Sequence, residues 1–406
     1  MYGTVAILAV AVLAYGATAN AFERTPFAGA FLFTAAGLAL GPAGLSLLNA
    51  DVEAEVLRTL AELALAFVLF TDAANTDMAE LRHSLSLPRR LLLVGLPLVI
   101  AAGIVPGYLL FPELGLAGVA VLAIALAPTD AALGKAVVTD RAVPIRIRTA
   151  LNVESGLNDG ICVPFFLVAL AVVMETVEPQ ALGQYALKVA VAQIGIGVGI
   201  GLVFSLLAVH AIGACSARGW ISGSWNQVLV PALALACFAT SQWAGGSGFI
   251  ACFVAGLAFG ALEKQHKDPL LEAAEGLGDA LALCLWVLFG AVVVGPLMGQ
   301  LTWKAAIYAA LSLTVVRMVP VRLGLKGRMP GAKEKLFIGW FGPRGLASIV
   351  FAVMAIDADM PGNETISLVV SVTILMSVIA HGLSAKPLSR LLEEGERRET
   401  DTAEGL

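Results

Sequence analysis

The sequence predicts an all-α polytopic membrane protein of about thirteen transmembrane helices, arranged as two inverted-topology six-helix repeats whose broken helices cross at the midplane. Three observations carry this prediction. Of the 406 residues 59% are hydrophobic and only 14% charged, with a mean hydropathy of +0.88, whereas soluble domains carry about 25% charged residues. Apolar runs recur from Gly3 to about Ser389, each of the length, about 17 to 25 residues, that crosses a hydrocarbon core. Two runs, at corresponding places in the two halves, are interrupted by proline beside polar residues.

The runs lie near 3–20, 26–45, 56–73, 89–111, 115–138, 145–174, 183–213, 226–243, 247–262, 270–297, 303–324, 334–356 and 364–386. Helix is the form such runs take, because a lone helix satisfies its own backbone in lipid while barrel strands are shorter and alternate in polarity. The first run has no basic flank before it and no small-residue cleavage site after it, so it reads as a retained span. Residues 1–391 form a single transmembrane domain: repeat one at about 3–175, a linker helix at about 183–213 and repeat two at about 226–390. Six spans followed by a linker span start the second half from the opposite side, which makes it inverted. The polar stretch 392–406 is expected to be a short disordered cytoplasmic tail.

Basic residues orient the chain. With the N-terminus outside, one set of loops holds 20 of the 25 Lys and Arg residues, among them Arg24, Arg82, Arg89, Arg90, Arg141, Lys264 and Arg328. The other side keeps Arg58, Lys188 and Lys304, with Asp51, Glu113, Glu178, Asp357, Asp359 and Glu364. The positive-inside rule then puts the N-terminus out and the C-terminus in the cytoplasm, and the compact loops fit a bacterial-type inner (plasma) membrane. The net charge of −5 says little about partners, because the placement of Lys and Arg matters more than their sum in such a chain; a polytopic membrane protein has membrane lipids as its surroundings, and nucleic acid is not expected as a partner. The cysteines Cys162, Cys215, Cys237, Cys252 and Cys284 have no metal-ligand spacing and read as packing residues.

Ionisable residues inside spans are functional candidates, since each costs at least about 2.5 kcal/mol there. In the fifth span Pro128-Thr129-Asp130 breaks the helix, leaving free backbone groups beside Thr129 and Asp130. In the sixth span Ser155, Asn158 and Asp159 share one helical face by their i, i+3, i+4 spacing. At about 1.5 Å per residue Asp159 lies about 16 Å in from Arg148 and Thr129 about 21 Å in from Gly115, both near the midplane. Together they form an oxygen-rich site suited to a hard monovalent cation, with Asp159 equally able to take a proton. Glu154 and Arg317 both lie about 9 Å from the inner face and pair by depth, although Arg344, about 12 Å in, competes for the same partner. Gly342-Pro343-Arg344-Gly345 breaks the twelfth span as Pro128 breaks the fifth, the pattern that marks a secondary transporter's midplane site.

These motifs, together with Phe70-Thr71-Asp72, Val138-Thr139-Asp140, Asn152-Val153-Glu154-Ser155-Gly156-Leu157-Asn158-Asp159-Gly160, Val316-Arg317 and Gly339-Trp340-Phe341, resemble the monovalent cation/proton antiporters. The likeness runs over essentially all spans and is greatest to the prokaryotic sodium/proton antiporters related to animal exchangers. It implies a homodimer with a dimerisation domain and a mobile core of spans 4–6 and 11–13. It also implies that Asp159 binds a cation and a proton in turn, helped by Thr129, Asp130, Ser155 and Asn158, while Glu154 pairs with Arg317. The Asn158-Asp159 pair is similar to that of the electroneutral branch, implying 1:1 exchange of Na+ or Li+ for H+. Thr71-Asp72 and Ala131 depart from the family's pattern; Asp72, near the inner end of span 3, is an accessory ligand or part of an access funnel.

Plainer roles compete for several of these residues. Thr129 can cap the half-helix after the break, Asp130 can balance that helix end, and Ser155 and Asn158 can be interhelical hydrogen-bonding groups. Arg344 reads as support for the second break, His381 as a packed polar residue, and the Gly195-x-Gly197-x-Gly199-x-Gly201 run as a close-packing surface. K+/H+ exchange on the same fold, or a cation channel or sensor without proton coupling, are the alternatives. No cofactor is expected, and without HExxH, GxSxG or a P-loop the chain reads as a transporter, not an enzyme.

Overall fold

Helix is the only regular structure among the described residues, which in this computed structural model are 2–22, 29–48, 54–130, 133–263, 267–327 and 331–404. Arg24, Asp51, Ala131, Lys264 and Arg328, used above, lie outside them. Each of the thirteen apolar runs holds helix. In chain order these are α1 (Tyr2–Phe22), α2 (Gly29–Leu40), α3 (Ala54–Ala74), a short surface helix α4 (Met78–Ser84), α5 (Ser86–Leu110), α6 (Gly115–Ala125), α7 (Lys135–Val138), α8 (Ile145–Val173) and α9 (Leu182–Ala217). There follow α10 (Gly223–Trp243), α11 (Gly248–Leu262), α12 (Lys267–Leu288), α13 (Trp303–Leu313), α14 (Val315–Gly324), α15 (Ala332–Trp340), α16 (Leu346–Asp357) and α17 (Asn363–Glu404). Seven of the helical segments are long and apolar enough to cross a membrane unaided, and four more are shorter apolar helices.

Proline explains where the fifth and twelfth runs stop. Pro128 lacks the amide that would bond the carbonyl of Ile124, and it disfavours helical dihedrals at Ala127. Helix α6 ends at Ala125, and α7 resumes at Lys135. Pro343 does the same between α15 and α16. Elsewhere the chain absorbs proline. Pro97 and Pro296 each follow a π-helical turn, Leu91–Gly95 and Phe289–Val294, where the ladder shifts register around the missing donor. The eleventh run, read above as one helix, is divided at Thr314, whose ψ of −95° separates α13 from α14.

The helices pack as two groups. One comprises α5, α6, α8 and α13 to α17, with contacts of α6 against α5 and α8, α14 against α5 and α15, and α17 against α13 and α16. The other comprises α1 to α3 and α9 to α12, built around α3 against α11 and α12, and α9 against α11. Helices α3 and α16, and α8 with α9 and α11, join the two. Near the start of α3 Arg58 donates to Asp357 at the end of α16 (2.6 Å) and to Glu62 (2.8 Å). Past the other end of α3, Asn152 of α8 donates to the Asp72 carbonyl and to Thr76 Oγ1, both at 3.2 Å.

One expectation is corrected here. The stretch 392–404 continues α17 as helix rather than forming a disordered tail. Leu392 is buried in an apolar cluster with Val321, Phe337 and Phe341, which anchors the start of that extension, and the Glu- and Arg-rich composition that follows favours helix.

The glycine run of α9 alternates in role. Gly201 meets α11 so closely that a Cβ would stand 2.6 Å from the Ala251 carbonyl oxygen, whereas Gly199 has open space around it. Gly201→Val is therefore expected to lower stability by about 1–3 kcal/mol through overpacking, and Gly199→Val to stay within about 0.5 kcal/mol of wild type. Thermal unfolding in detergent distinguishes the two; equal melting temperatures would contradict this packing.

Candidate functional site at the helix crossing

The two breaks meet. The amide of Asp130 donates to the Pro343 carbonyl (2.8 Å), and the Asp130 carboxylate accepts from the amide of Leu346, the first residue of α16 (2.8 Å), and from Leu133 (3.2 Å). One side chain thus supplies acceptors to the opposing helix N-terminus and to its own loop. In return Arg344 Nη1 donates to the Ala127 and Pro128 carbonyls, at 2.5 and 2.8 Å, which the first break strips of helical partners. Space at the crossing is tight. A Cβ on Gly345 would stand 2.0 Å from Asp130 Oδ2, and one on Gly342 2.3 Å from Arg317 Nε, so both glycines of the Gly-Pro-Arg-Gly segment are needed for close approach.

The polar face of α8 holds the other side of the first break. Ser155 Oγ donates to the Thr129 carbonyl (2.5 Å), Asn158 Nδ2 donates to Thr129 Oγ1 (2.8 Å), and the Thr129 amide donates to Asn158 Oδ1 (3.3 Å). Every polar group of Thr129 therefore faces Ser155 or Asn158. Next to Asn158, Asp159 is only 3% exposed, and its Oδ1 has no hydrogen-bond donor. Its electrostatic neighbours include the carboxylates of Asp130 and Glu154. A narrow cavity beside the site is lined by Thr129, Asp130, Ser155, Phe341 and Pro343.

Charge in this buried cluster is nearly balanced. Arg317 donates from both terminal nitrogens to both oxygens of Glu154, at 2.6 and 2.8 Å, a bidentate pair with each residue 2% exposed. The preference for Arg317 over Arg344 follows from placement: α14 brings the Arg317 fork onto α8, while Arg344 is spent on the carbonyls of the first break. With Asp130, Glu154 and Asp159 ionised against Arg317 and Arg344, one negative charge remains, and Asp159 is the carboxylate without a donor. Among the described residues no three His, Cys, Asp or Glu side chains converge as a metal cluster would require. Oxygen donors at this site are instead carboxylate, hydroxyl, amide and backbone carbonyl.

The structure brings Thr129, Asp130, Glu154, Ser155, Asn158, Asp159, Arg317 and Arg344 to one crossing. Asp72 is half-buried near the end of α3, where its carbonyl accepts from Asn152 Nδ2 (3.2 Å) and Thr76 Oγ1 (3.1 Å). Ser377, which accepts from the Arg344 amide (2.7 Å), was not legible as part of the site. Nothing in one sequence marks it among the many Ser and Thr residues of the last span.

Two unwound helix breaks crossing among buried charges, in an all-helical membrane-spanning chain, define a membrane transporter rather than an enzyme. The chain belongs to the transmembrane sodium/hydrogen exchanger family, whose model matches residues 8–391. It is similar to a Na+/H+ antiporter of Schizosaccharomyces pombe, 25% identical over 348 residues, covering 78% of this chain and 74% of that one. It is similar also to the K+/H+ antiporter NhaP2 of Shewanella oneidensis, 26% identical over 330 residues, covering 81% of this chain. The chain spans 56% of the length of that relative. In fold it matches the structure of the sodium proton antiporter MjNhaP1 from Methanocaldococcus jannaschii at pH 8, with a TM-score of 0.78 at 20% identity over 96% of this chain and 98% of that one.

Removing one partner of a buried ion pair strands the other charge. Arg317→Ala is expected to cost about 3–5 kcal/mol, and Glu154→Gln combined with Arg317→Met to recover most of that loss. Chemical or thermal unfolding of the purified variants tests it; a double variant as unstable as the single one would show that the pair contributes more than mutual charge satisfaction.

Proposed function

We propose that this protein is a secondary antiporter that exchanges Na+ or Li+ for H+ by alternating access, with Asp159 binding cation and proton in turn. The observation that carries the reading is the charge count at the crossing: one uncompensated negative charge, on a buried carboxylate whose Oδ1 has no protein donor. One monovalent cation or one proton neutralises it, and the two cannot both be needed. Competition for one carboxylate couples the fluxes and makes the exchange 1:1 and electroneutral. Charge left buried and unneutralised is expensive, so the empty, ionised site is disfavoured in any occluded state, and net movement requires occupancy on both legs of the cycle.

In this reading Asn158, Ser155 and Thr129 hold the first break in shape and offer oxygen atoms to a cation beside Asp159. Asp130 and Arg344 balance the helix ends, and the Glu154–Arg317 pair ties α8 to α14. Asp72 serves the access route between the helix groups. The group containing α5, α6, α8 and α13 to α17 moves against the other, which also forms a homodimer, within a lipid bilayer of the bacterial inner-membrane type with the N-terminus outside and the C-terminus cytoplasmic. The domain limits of 1–391, with repeats near 3–175 and 226–390, belong to the same proposal.

Exchange of K+ for H+ at the same site is the second reading, favoured by the NhaP2 relatives named as K+/H+ antiporters. Ligand types alone do not separate the ions, since the oxygen donors suit all alkali cations.

Proteoliposomes carrying an imposed pH gradient test both readings. Addition of Na+ or Li+ is expected to dissipate the gradient with wild type and not with Asp159→Asn, with no response to valinomycin-clamped voltage. Dissipation by K+ in place of Na+ would select the second reading. Full activity in Asp159→Asn, or cation flux uncoupled from protons, would overturn the shared-carboxylate mechanism in favour of a channel or sensor.

A further inference from the structure

The second break is held from behind by a side chain that the transport reading does not use. His381, on α17, is 3% exposed and lies against the rings of Trp340 and Phe341, with centroids 5.1 and 6.2 Å away. Its Nε2 is 2.8 Å from the carbonyl oxygen of Trp340, the last residue of α15. Its Nδ1 is 3.1 Å from Ser377 Oγ and 2.9 Å from the Ser377 carbonyl oxygen, and Ser377 Oγ accepts from the Arg344 amide (2.7 Å). Each ring nitrogen faces a backbone carbonyl, Nε2 that of Trp340 and Nδ1 that of Ser377, and Nδ1 also lies against the Ser377 hydroxyl that accepts from the Arg344 amide, so the ring bridges Trp340 and Ser377.

The geometry points to His381 as a positioning residue for the ion site: it staples the chain on both sides of Pro343, through the Trp340 carbonyl before it and, by way of Ser377, the Arg344 amide after it. This rests on the reading of the crossing as the ion site. The path onward is short. Arg344 Nη1 holds the Ala127 and Pro128 carbonyls, and the next residue, Thr129, is the one bonded to Ser155 and Asn158. Loosening the staple frees the Arg344 backbone, and with it the clamp that sets where Thr129 stands beside Asp159. The cation then meets a less well-organised set of oxygens, so its affinity falls before the turnover of a saturated site does.

The test is initial-rate exchange in proteoliposomes at fixed pH, with Na+, Li+ and K+ each titrated to give KM and Vmax. His381→Leu is expected to raise the cation KM about tenfold, the consequence of losing one or two buried hydrogen bonds, with a Vmax per folded protein within about twofold of wild type. His381→Gln, whose amide donates from nearly the position of Nε2, is expected to restore KM to within about twofold of wild type. Ser384→Ala is the structural control. It removes the 2.8 Å bond from Trp340 Nε1 without touching the staple, and its KM is expected to be unchanged. Should His381→Leu not fold, Ser377→Ala carries the same test from the other side of the ring. A wild-type KM in His381→Leu (or in Ser377→Ala, if that variant replaces it), an equal rise in Ser384→Ala, or no rescue by Gln would overturn the staple. An active Asp159→Asn in the same preparation would fell the site reading and this inference together, whereas an inactive one with unchanged KM in the staple variants would fell only the inference.

Discussion

Two helices unwound inside a membrane protein leave backbone amides and carbonyls with no water to receive them, and the polar architecture of the crossing answers that problem. Each such group costs several kcal/mol in an apolar setting when left alone. Here each break is satisfied by the other: the Asp130 carboxylate receives the amide at the start of α16, and the Arg344 guanidinium covers the carbonyls released before Thr129. Neither break is stable without its partner. That mutual dependence explains why both carry a charged residue beside the proline, of opposite sign.

Charges brought in to satisfy backbone create a second constraint, since they must themselves be balanced. The Glu154–Arg317 pair closes on itself by bidentate hydrogen bonding. Asp130 and Arg344 are spent on amides and carbonyls. Asp159 is left over, its Oδ1 without a donor, and the proposed exchange rests on this, because whatever neutralises a leftover buried carboxylate must come from outside the protein. The same logic separates the site from the ordinary polar contacts of the bundle, such as Tyr308 donating to the Gly103 carbonyl at 3.2 Å, where donor and acceptor are both supplied by the chain.

The division into two helix groups is the setting for the proposed movement. The breaks and all the charged residues at the crossing sit in the group containing α6, α8, α14 and α16, and the links to the other group run mainly through α3 with α16 and through α8 with α9 and α11. They include close contacts along α3 and α8, a half-exposed ion pair at Arg58, and the amide of Asn152 past the opposite end of α3. Exposed ion pairs contribute little. The proposed rearrangement between the groups would leave intact the buried pairs that hold the crossing together.

Much of this was legible in residue order alone. Hydropathy located all thirteen runs, because a spanning helix needs apolar length and little else. The proline–polar segments marked both breaks, and the i, i+3, i+4 spacing put Ser155, Asn158 and Asp159 on one face, because those features are local. Partner choice was not local. Proline also lies inside α5, α8, α10, α14 and α17 without unwinding them, so a break persists only where another helix supplies the missing donors and acceptors. Similar depths left Arg317 and Arg344 as rivals for Glu154, and Ser377 and His381 were two polar residues among many. The division at Thr314 and the helical course of 392–404 were likewise missed, since each depends on what packs against it. The sequence by itself determined which segments are apolar helices and where two of them break, through composition and backbone chemistry. Only the tertiary structure decided which break faces which charge, because that depends on the packing of helices more than a hundred residues apart.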